Sequence, residues 1–267
     1  MIDIHTHLLP EFDDGPKDLD ETRKMLALAE KDGTTEVVLT SHILNPSDHE
    51  REDEILEKFE LVKQASRKDG RSLEIYLGGE IYVHPETKLD RVFSTLNNNK
   101  KYALVEFGMR QIPEFVPKRL FDWLMEGYKP IIAHPERVLP IMKNPSYAYK
   151  FVQMGAALQL NAGSLLGVFG DSAKKCAHEL IEHKLVHFIA SDGHDTNSRS
   201  ISLRKVYQSM VSKYGEPLVQ TLMEDNPKRA IRGEELIREE PIPFEEDEVR
   251  PTRWKALKRK LRFLREP

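Results

Sequence analysis

Residues 1–42 read MIDIHTHLLPEFDDGPKDLDETRKMLALAEKDGTTEVVLTSH and contain a complete βα unit followed by a second strand. The apolar run IDIH predicts the first strand. The helical periodicity that follows predicts a helix capped by Asp18 or Asp20 and ended by Gly33. TEVVLTSH at 35–42 predicts the second strand. Because a helix separates them, the two strands can lie parallel in one sheet.

The same alternation continues along the chain. A second helix is predicted at 47–70, and helical segments near 113–127, 145–154, 171–184 and 200–223 separate the later apolar runs. About seven βα units predict an α/β protein whose parallel strands form a closed or distorted barrel. The five further predicted strands are 73–80, 102–107, 129–137, 157–163 and 186–194.

Composition limits the class of protein. The chain has 267 residues, of which 39% are hydrophobic, enough for the core of one large barrel domain. The formal net charge is -4 and the isoelectric point is about 6.2, so overall charge does not favour nucleic-acid binding. Cys176 is the only cysteine, no basic and apolar leader opens the sequence, and no apolar run approaches a membrane span of about 20 residues. We therefore expect a cytoplasmic protein.

The composition changes after residue 232. Residues 234–248 contain eight acidic side chains, whereas 250–267 contain eight basic ones. Trp254, Leu257, Leu261 and Leu264 fall on one stripe of a helix. We predict a barrel domain at 1–232 and, at 233–267, an acidic connector with a basic amphipathic helix. That helix could contact anionic lipid or an acidic partner, including another subunit of an oligomer.

Side chains of metal-ligand type close six of the seven predicted strands or follow them directly. In the H-x-H of β-strand one, both imidazoles point to the same side because side chains alternate along a strand. Barrels of this kind carry their chemistry at the carboxyl ends of the strands. Five histidines and four carboxylates predict a cluster of two or three metals and metal-assisted hydrolysis. The predicted ligands are His5, His7, Asp14, His42, Glu80, Glu106, His134, Asp192 and His194.

Two arginines stand close to these ligands in the sequence. Arg137 follows His134 in the run HPER, and Arg199 comes five residues after His194. A guanidinium group binds the oxygens of a phosphate ester bidentately and stabilises charge in the transition state. We therefore predict Arg137 and Arg199 as catalytic residues that hold a phosphoryl group.

Residues 1–232 contain, in order, the motifs MIDIHTHLLPEFDDGPKD at 1–18, TSH at 40–42, GGE at 78–80, EF at 106–107, AHPER at 133–137, LNAGSLLGVFG at 160–170 and SDGH with its downstream arginine at 191–199. Together these motifs resemble the PHP (polymerase and histidinol phosphatase) superfamily. The resemblance is strongest to the bacterial metal-dependent protein-tyrosine phosphatases of capsular and exopolysaccharide operons. All nine ligand positions and both arginines of that pattern are filled here.

The resemblance implies a distorted (β/α)7 barrel of the PHP type with a trinuclear centre, often manganese, although iron, zinc, cobalt or magnesium also suit such sites. It implies dephosphorylation of phosphotyrosine on a tyrosine kinase that regulates polysaccharide synthesis. Our hypothesis is that a hydroxide shared by two metals attacks phosphorus. One ion would be bound by His5, His7 and Asp192, with Glu106 bridging to a second that His134 completes. Asp14, His42, Glu80 and His194 would form the third position.

Other functions remain open at this stage. Histidinol-phosphate phosphatase or another PHP phosphoesterase would use nearly the same site, and a catalytically silent regulatory barrel would be expected to lack ligands. A dinuclear amidohydrolase would favour a bridging lysine where Glu106 stands, and a PHP exonuclease would need a nucleic-acid surface. A cysteine phosphatase is excluded, because the residue six positions after Cys176 is Glu182 and not an arginine.

Overall fold

The computed structural model describes residues 1–244. Nine strands, all parallel to their neighbours, alternate with helices along the chain. The strands are β1 Ile2–Thr6, β2 Glu36–Leu39, β3 His42–Ile43, β4 Glu74–Leu77, β5 Glu80–Tyr82, β6 Tyr102–Glu106, β7 Lys129–Ala133, β8 Ala157–Asn161 and β9 Phe188–Ala190.

The nine strands correspond to the seven predicted runs, because two of those runs are interrupted. Thr40 and Ser41 separate β2 from β3, and Gly78 and Gly79 separate β4 from β5. One sheet therefore has the order β1-β2-β4, and the other has the order β3-β5-β6-β7-β8-β9. His7 N–H donates to the carbonyl of Gly193 at 2.9 Å, which joins the segment after β9 to the end of β1. The predicted distorted seven-unit barrel is confirmed.

The glycine pair is explained by close packing at the interruption. A Cβ atom at Gly78 would lie 3.1 Å from Val38 Cγ1, and one at Gly79 would lie 3.2 Å from the carbonyl oxygen of Phe93. Larger residues would have to displace these neighbours. The glycines thus let the chain step from β4 to β5 while staying packed against β2.

The two faces of each strand have different surroundings. On β6, Ala103 and Val105 pack in the large apolar core shared with the helices, whereas Tyr102 and Leu104 belong to a second buried cluster. Since side chains alternate along a strand, Glu106 lies on the same face as Leu104. The same parity places Gln159 of β8 on the face of Ala157. These polar residues therefore continue the second face towards the carboxyl ends of the strands.

Amphipathic helices cover the outside of the barrel. The Asp18 side chain accepts a hydrogen bond from Glu21 N–H at 2.8 Å and so caps the first helix as predicted, and Gly33 follows the helix with φ +92°. No helix within residues 1–244 is long and apolar enough to span a bilayer. The α-helices are α1 Leu19–Lys31, α2 Glu52–Lys68, α3 Val116–Met125, α4 Leu139–Lys143, α5 Ser146–Met154, α6 Ala162–Leu166, α7 Asp171–Glu182, α8 Arg204–Tyr214, α9 Glu216–Gln220 and α10 Asn226–Ile231.

The segment after Gly233 runs along the barrel as far as residue 244. Tyr102 Oη donates to the carbonyl of Glu234 at 2.7 Å, and the Asn226 side chain exchanges two hydrogen bonds with the backbone of Ile237. Leu236 is buried in the second apolar cluster. This part of the acidic connector is thus packed on the domain. The predicted basic helix at 250–267 lies outside the described residues.

Candidate metal centre

The nine predicted ligands come together at the carboxyl ends of the strands. His5 lies within β1, and His7 follows it. His42 and Glu80 open the short strands β3 and β5, while Glu106 ends β6. The remaining four lie in the segments that follow β1, β7 and β9. The fold therefore brings residues that are far apart in the sequence into one cluster. Its members are His5, His7, Asp14, His42, Glu80, Glu106, His134, Asp192 and His194.

Glu80 lies at the centre of this cluster. Its Oε2 atom is 3.2 Å from His5 Nε2, 3.5 Å from His7 Nε2 and 3.0 Å from His42 Nδ1. Its Oε1 atom is 2.9 Å from His134 Nε2. A single carboxylate therefore faces four imidazoles, which suits a group shared between neighbouring cations.

Asp192 faces His5 and His7, which are two of the four histidines that Glu80 faces. Its Oδ1 atom is 3.5 Å from His5 Nε2 and 3.4 Å from His7 Nε2, and those two nitrogens are 3.3 Å apart. On another side of the cluster, His42 Nδ1 lies 3.1 Å from Glu106 Oε1.

A third group lies nearer the solvent. Asp14 Oδ1 is 3.0 Å from His194 Nε2 and 3.5 Å from His42 Nε2. The His194 ring stacks on His7 with 3.7 Å between centroids. More than half of the Asp14 side chain is exposed, so this group forms the mouth of the cluster.

In the suggested group of His5, His7 and Asp192 the donor atoms lie within 3.5 Å of one another, whereas the other groups differ from the suggested partition. Three sets have ligand atoms close enough to bind one ion each, and Glu80 belongs to two of them. Glu80 does not join Asp14 and His194, and the carboxylate common to two sets is Glu80 and not Glu106. The three sets are His5, His7 and Glu80; His42, Glu80 and Glu106; and His7, Asp14, His42 and His194.

The donor atoms suit divalent cations in two respects. Ligands about 2.1 Å from a common ion are about 3.0 Å apart at a right angle and about 3.4 Å apart in a tetrahedron, which matches the separations here. In addition, His42 Nδ1, Glu80 Oε2 and His194 Nε2 are buried and have no hydrogen-bond partner among residues 1–244. His42 Nδ1 and Glu80 Oε2 are only 3.0 Å apart, but they are not directed at each other as a hydrogen bond requires. Such atoms are costly unless a cation pairs with them.

Three of the imidazoles are held through Nδ1. His7 Nδ1–H donates to Asp13 Oδ2 at 2.8 Å, and His5 Nδ1–H donates to Gln159 Oε1 at 2.7 Å. His194 Nδ1 lies 2.8 Å from the carbonyl oxygen of Asp192. A proton on Nδ1 leaves the Nε2 lone pair directed into the cluster, which is the tautomer that a metal ligand needs.

Asp13, Gln159 and Asn161 support the cluster but were not predicted. Asn161 Nδ2–H donates to Asp192 Oδ2 at 2.6 Å and so fixes that carboxylate. For Gln159 and Asn161 a signal was present, because both lie on the alternating face of β8 that also carries Ala157. Asp13 had the weaker signal: it adjoins Asp14 in one turn, and only the fold shows which carboxylate faces which group.

The carboxylates make the cluster strongly favourable for positive charge. Burial lowers the pKa of His42, but the carboxylates of Glu106 and Glu80 outweigh burial and raise this pKa to about 10. Burial raises the pKa of Asp192, yet the nearby histidines outweigh it and hold that pKa well below its usual range. A metal ion that displaces the histidine protons would compensate the negative charge of the same carboxylates.

Both predicted catalytic arginines reach the edge of the cluster. Arg137 Nη1–H donates to Asp192 Oδ2 at 2.8 Å. Arg199 Nη1–H donates to Asp14 Oδ2 at 2.8 Å, and its Nη2 lies 3.3 Å from Asp192 Oδ1. The two guanidinium groups thus meet at Asp192 from different loops, beside the donor atoms of the cluster.

Backbone strain marks two of the strand ends. His134 has φ +35° and Asp192 has φ +53°, a left-handed conformation that side-chain-bearing residues rarely adopt. Such strain costs about 1–3 kcal/mol per residue and persists where the surroundings enforce it. Here it turns each side chain into the cluster within two residues of the end of its strand.

A parallel barrel with this set of residues at its mouth defines a protein of the PHP type. The family model for capsular polysaccharide synthesis, CpsB/CapC, matches residues 1–232. The chain belongs to this family, and the resemblance predicted from its motifs is confirmed.

Similar proteins cover nearly the same length. The tyrosine-protein phosphatase YwqE of Bacillus subtilis is 33% identical over 246 residues, which are 91% of this chain and 96% of YwqE. The tyrosine-protein phosphatase CpsB of Streptococcus pneumoniae is 33% identical over 238 residues, or 86% of this chain and 98% of CpsB.

Solved structures show the same relationship. One solved structure comes from a pair of metal-dependent tyrosine phosphatases, YwqE of Bacillus subtilis and CpsB of Streptococcus pneumoniae. It matches this chain with a TM-score of 0.84 and 32% sequence identity. It covers 92% of this chain and 100% of that one. A β-aspartyl dipeptidase of Fervidobacterium islandicum is 17% identical with a TM-score of 0.56, covering 86% of this chain and 72% of that one. That likeness shows the fold alone.

Proposed function

We propose that this chain is a metal-dependent protein-tyrosine phosphatase, which hydrolyses the phosphomonoester of phosphotyrosine. The observation that carries the proposal is the cluster of five imidazoles and four carboxylates, flanked by two arginines. Membership of the CpsB/CapC family supports it, because relatives of similar length are tyrosine-protein phosphatases. The similar solved structure belongs to a pair of metal-dependent tyrosine phosphatases, and its whole chain is matched by this one.

We assign the binding of two or three divalent ions to the nine residues of the cluster, with manganese as the first choice. The donors are imidazole and carboxylate without thiolate, a set that suits manganese and iron as well as zinc. Divalent ions in such a site supply an activated water nucleophile at neutral pH and compensate the charge of phosphoryl oxygens. The chain itself orients the donors: Asp13, Gln159 and Asn161 hold His7, His5 and Asp192 in place.

Arg137 and Arg199 are the residues that we assign to the phosphoryl group. They lie at the edge of the cluster, where planar guanidinium groups can bind two oxygens and stabilise the charge that develops in the transition state. Their contacts with Asp192 keep both side chains directed towards the metal donors. The departing phenol has a pKa of about 10, so its oxygen leaves with less assistance than an alkoxide requires.

A covalent cysteine mechanism does not compete with this assignment. Cys176 lies on α7, is buried, and burial raises the pKa of its thiol to about 12. A protonated, inaccessible thiol is not a nucleophile.

The direct test compares metal-stripped and Mn²⁺-loaded protein on p-nitrophenyl phosphate and on a phosphotyrosine peptide. We expect activity to be lost on stripping and restored by Mn²⁺. Asp192→Asn should reduce both bound metal and activity, whereas His178→Ala should change neither, because the partner of His178 is Tyr214 of α8 and not a residue of the cluster. Full activity after complete metal removal would contradict the proposal, as would an Asp192→Asn variant as active as the parent chain.

The physiological substrate that we propose is an autophosphorylated bacterial tyrosine kinase that regulates polysaccharide synthesis, with the reaction placed in the cytoplasm. The family description, capsular polysaccharide synthesis, supports this process. A panel containing the phosphorylated kinase, histidinol phosphate and simple sugar phosphates tests it. The phosphotyrosine protein should have the highest kcat/KM, and a preference for histidinol phosphate would contradict the assignment.

A further inference from the structure

We propose that Phe169 is a positioning residue that holds the Arg137 guanidinium group in the orientation that binds a phosphoryl group. This inference rests on the proposed function and extends it to a residue outside the metal cluster. Phe169 lies in the turn between α6 and α7, within the motif LNAGSLLGVFG, and its ring packs under the guanidinium group of Arg137.

Arg137 is restrained from two sides. Its guanidinium carbon lies 4.0 Å from the centroid of the Phe169 ring, and its Nη1–H donates to Asp192 Oδ2 at 2.8 Å. Within residues 1–244, Nε and Nη2 of Arg137 have no hydrogen-bond acceptor. The ring fixes the plane of the group and Asp192 fixes one edge, so the two remaining donors have a defined direction towards a ligand.

The ring can do this because its own position is fixed. A Cβ atom on Gly163 would lie only 2.7 Å from Phe169 Cε2, so the ring packs directly on that glycine. The loop returns the chain to this point by a turn in which Val168 N–H donates to the carbonyl of Gly163 at 2.9 Å. Gly167 and Gly170 supply the left-handed backbone of the turn, with φ of +86° and +88°.

Arg199 provides a contrast within the same site. It is held by two carboxylates, Asp14 at 2.8 Å and Asp192 at 3.3 Å, and within the described part of the chain no aromatic ring makes a cation–π contact with it. Arg137 has a single carboxylate partner and therefore depends on the ring for its second restraint. An arginine side chain that becomes ordered only when phosphate binds loses conformational entropy, and this loss weakens phosphate binding. A ring that already holds the side chain in place removes that entropy cost.

The experiment uses the Mn²⁺-loaded full chain and three variants. Phe169→Leu removes the aromatic face, Phe169→Tyr retains it, and Val168→Ala changes an exposed neighbour in the same turn. For Phe169→Leu we expect kcat/KM for p-nitrophenyl phosphate to fall about 2- to 30-fold. Calorimetry should show that inorganic phosphate binds more weakly by a similar factor, with metal content unchanged. Phe169→Tyr should restore both values, and Val168→Ala should match the parent chain.

A double-mutant comparison separates positioning from general packing. In an Arg137→Ala background, Phe169→Leu should have no further effect on kcat/KM or on phosphate binding, because the ring acts only through that arginine. An equal loss in both backgrounds would overturn the inference, as would a Phe169→Leu variant that binds phosphate as tightly as the parent. If the parent chain itself shows no metal-dependent phosphatase activity, the proposed function fails, and phosphate binding by the five variants still tests the role of Phe169.

Discussion

Replacing Asp13 by asparagine tests whether the residues behind the ligands determine metal affinity. Burial raises the pKa of Asp13, but the interaction with His7 outweighs it and holds this pKa below its usual range. The carboxylate accepts three hydrogen bonds, from His7 Nδ1–H at 2.8 Å, His42 N–H at 3.0 Å and Gly15 N–H at 3.0 Å. An asparagine has only one acceptor oxygen, so its amide group must face at least one of these donors.

The expected loss follows from that mismatch. A hydrogen bond to a charged acceptor contributes about 1.5–3 kcal/mol, and loss of a partner behind a metal ligand lowers metal affinity about 10- to 100-fold. The two figures agree, because 10- to 100-fold is about 1.4–2.7 kcal/mol. Competition between the protein and a fluorescent chelator for Mn²⁺ measures the change.

The control for this experiment is Asp20→Asn, which alters a highly exposed aspartate in α1. We expect that variant to bind Mn²⁺ as the parent does. If Asp13→Asn also kept the parent affinity, the orientation of His7 by Asp13 would have no role in metal binding, and the reasoning would be refuted.

Two further predictions concern the central carboxylate and a buried histidine. Glu80→Gln should lower the metal bound per chain and should lower the phosphatase activity at least about 100-fold, because Glu80 belongs to two of the three donor sets. Elemental analysis and activity assays measure the two effects. An unchanged metal content would contradict this prediction. Burial lowers the pKa of His187 from 6.5 to about 3, so the unfolded chain takes up the proton first and stability falls as the pH drops from 6.5 towards 3. The loss is about 2 kcal/mol at about pH 5. Urea unfolding measures the free energy of unfolding at neutral pH and at about pH 5 for the parent and for His187→Asn, which keeps an acceptor for Leu158 N–H. The acid-induced loss in the parent should exceed the loss in the variant by this amount. Equal acid sensitivity in both proteins would show that His187 titrates normally.

The residues that form the cluster were predictable from the sequence because their signal is local. Glu106 ends an apolar run and is costly there unless a cation pairs with it, and the H-x-H of His5 and His7 fixes two imidazoles on one side of a strand. The regular alternation of strands and helices then implied that the strand ends share one edge of a barrel.

Most of the grouping within the cluster was not predictable, because it depends on distances between strands. The interruption at Gly78 and Gly79 moves Glu80 to the start of a new strand, where it faces four imidazoles. Likewise, Asp13 and Asp14 have the same side chain and adjacent positions, and only the turn geometry directs one to His7 and the other to His194.

The number of metal ions per chain, measured by native mass spectrometry while phosphotyrosine-peptide hydrolysis is followed, tests the central claim most directly. The arrangement of donors predicts two or three divalent ions per chain, with turnover that rises as they bind. A chain that hydrolyses the peptide at its full rate while carrying no metal, or that binds three ions and never hydrolyses it, would contradict the account.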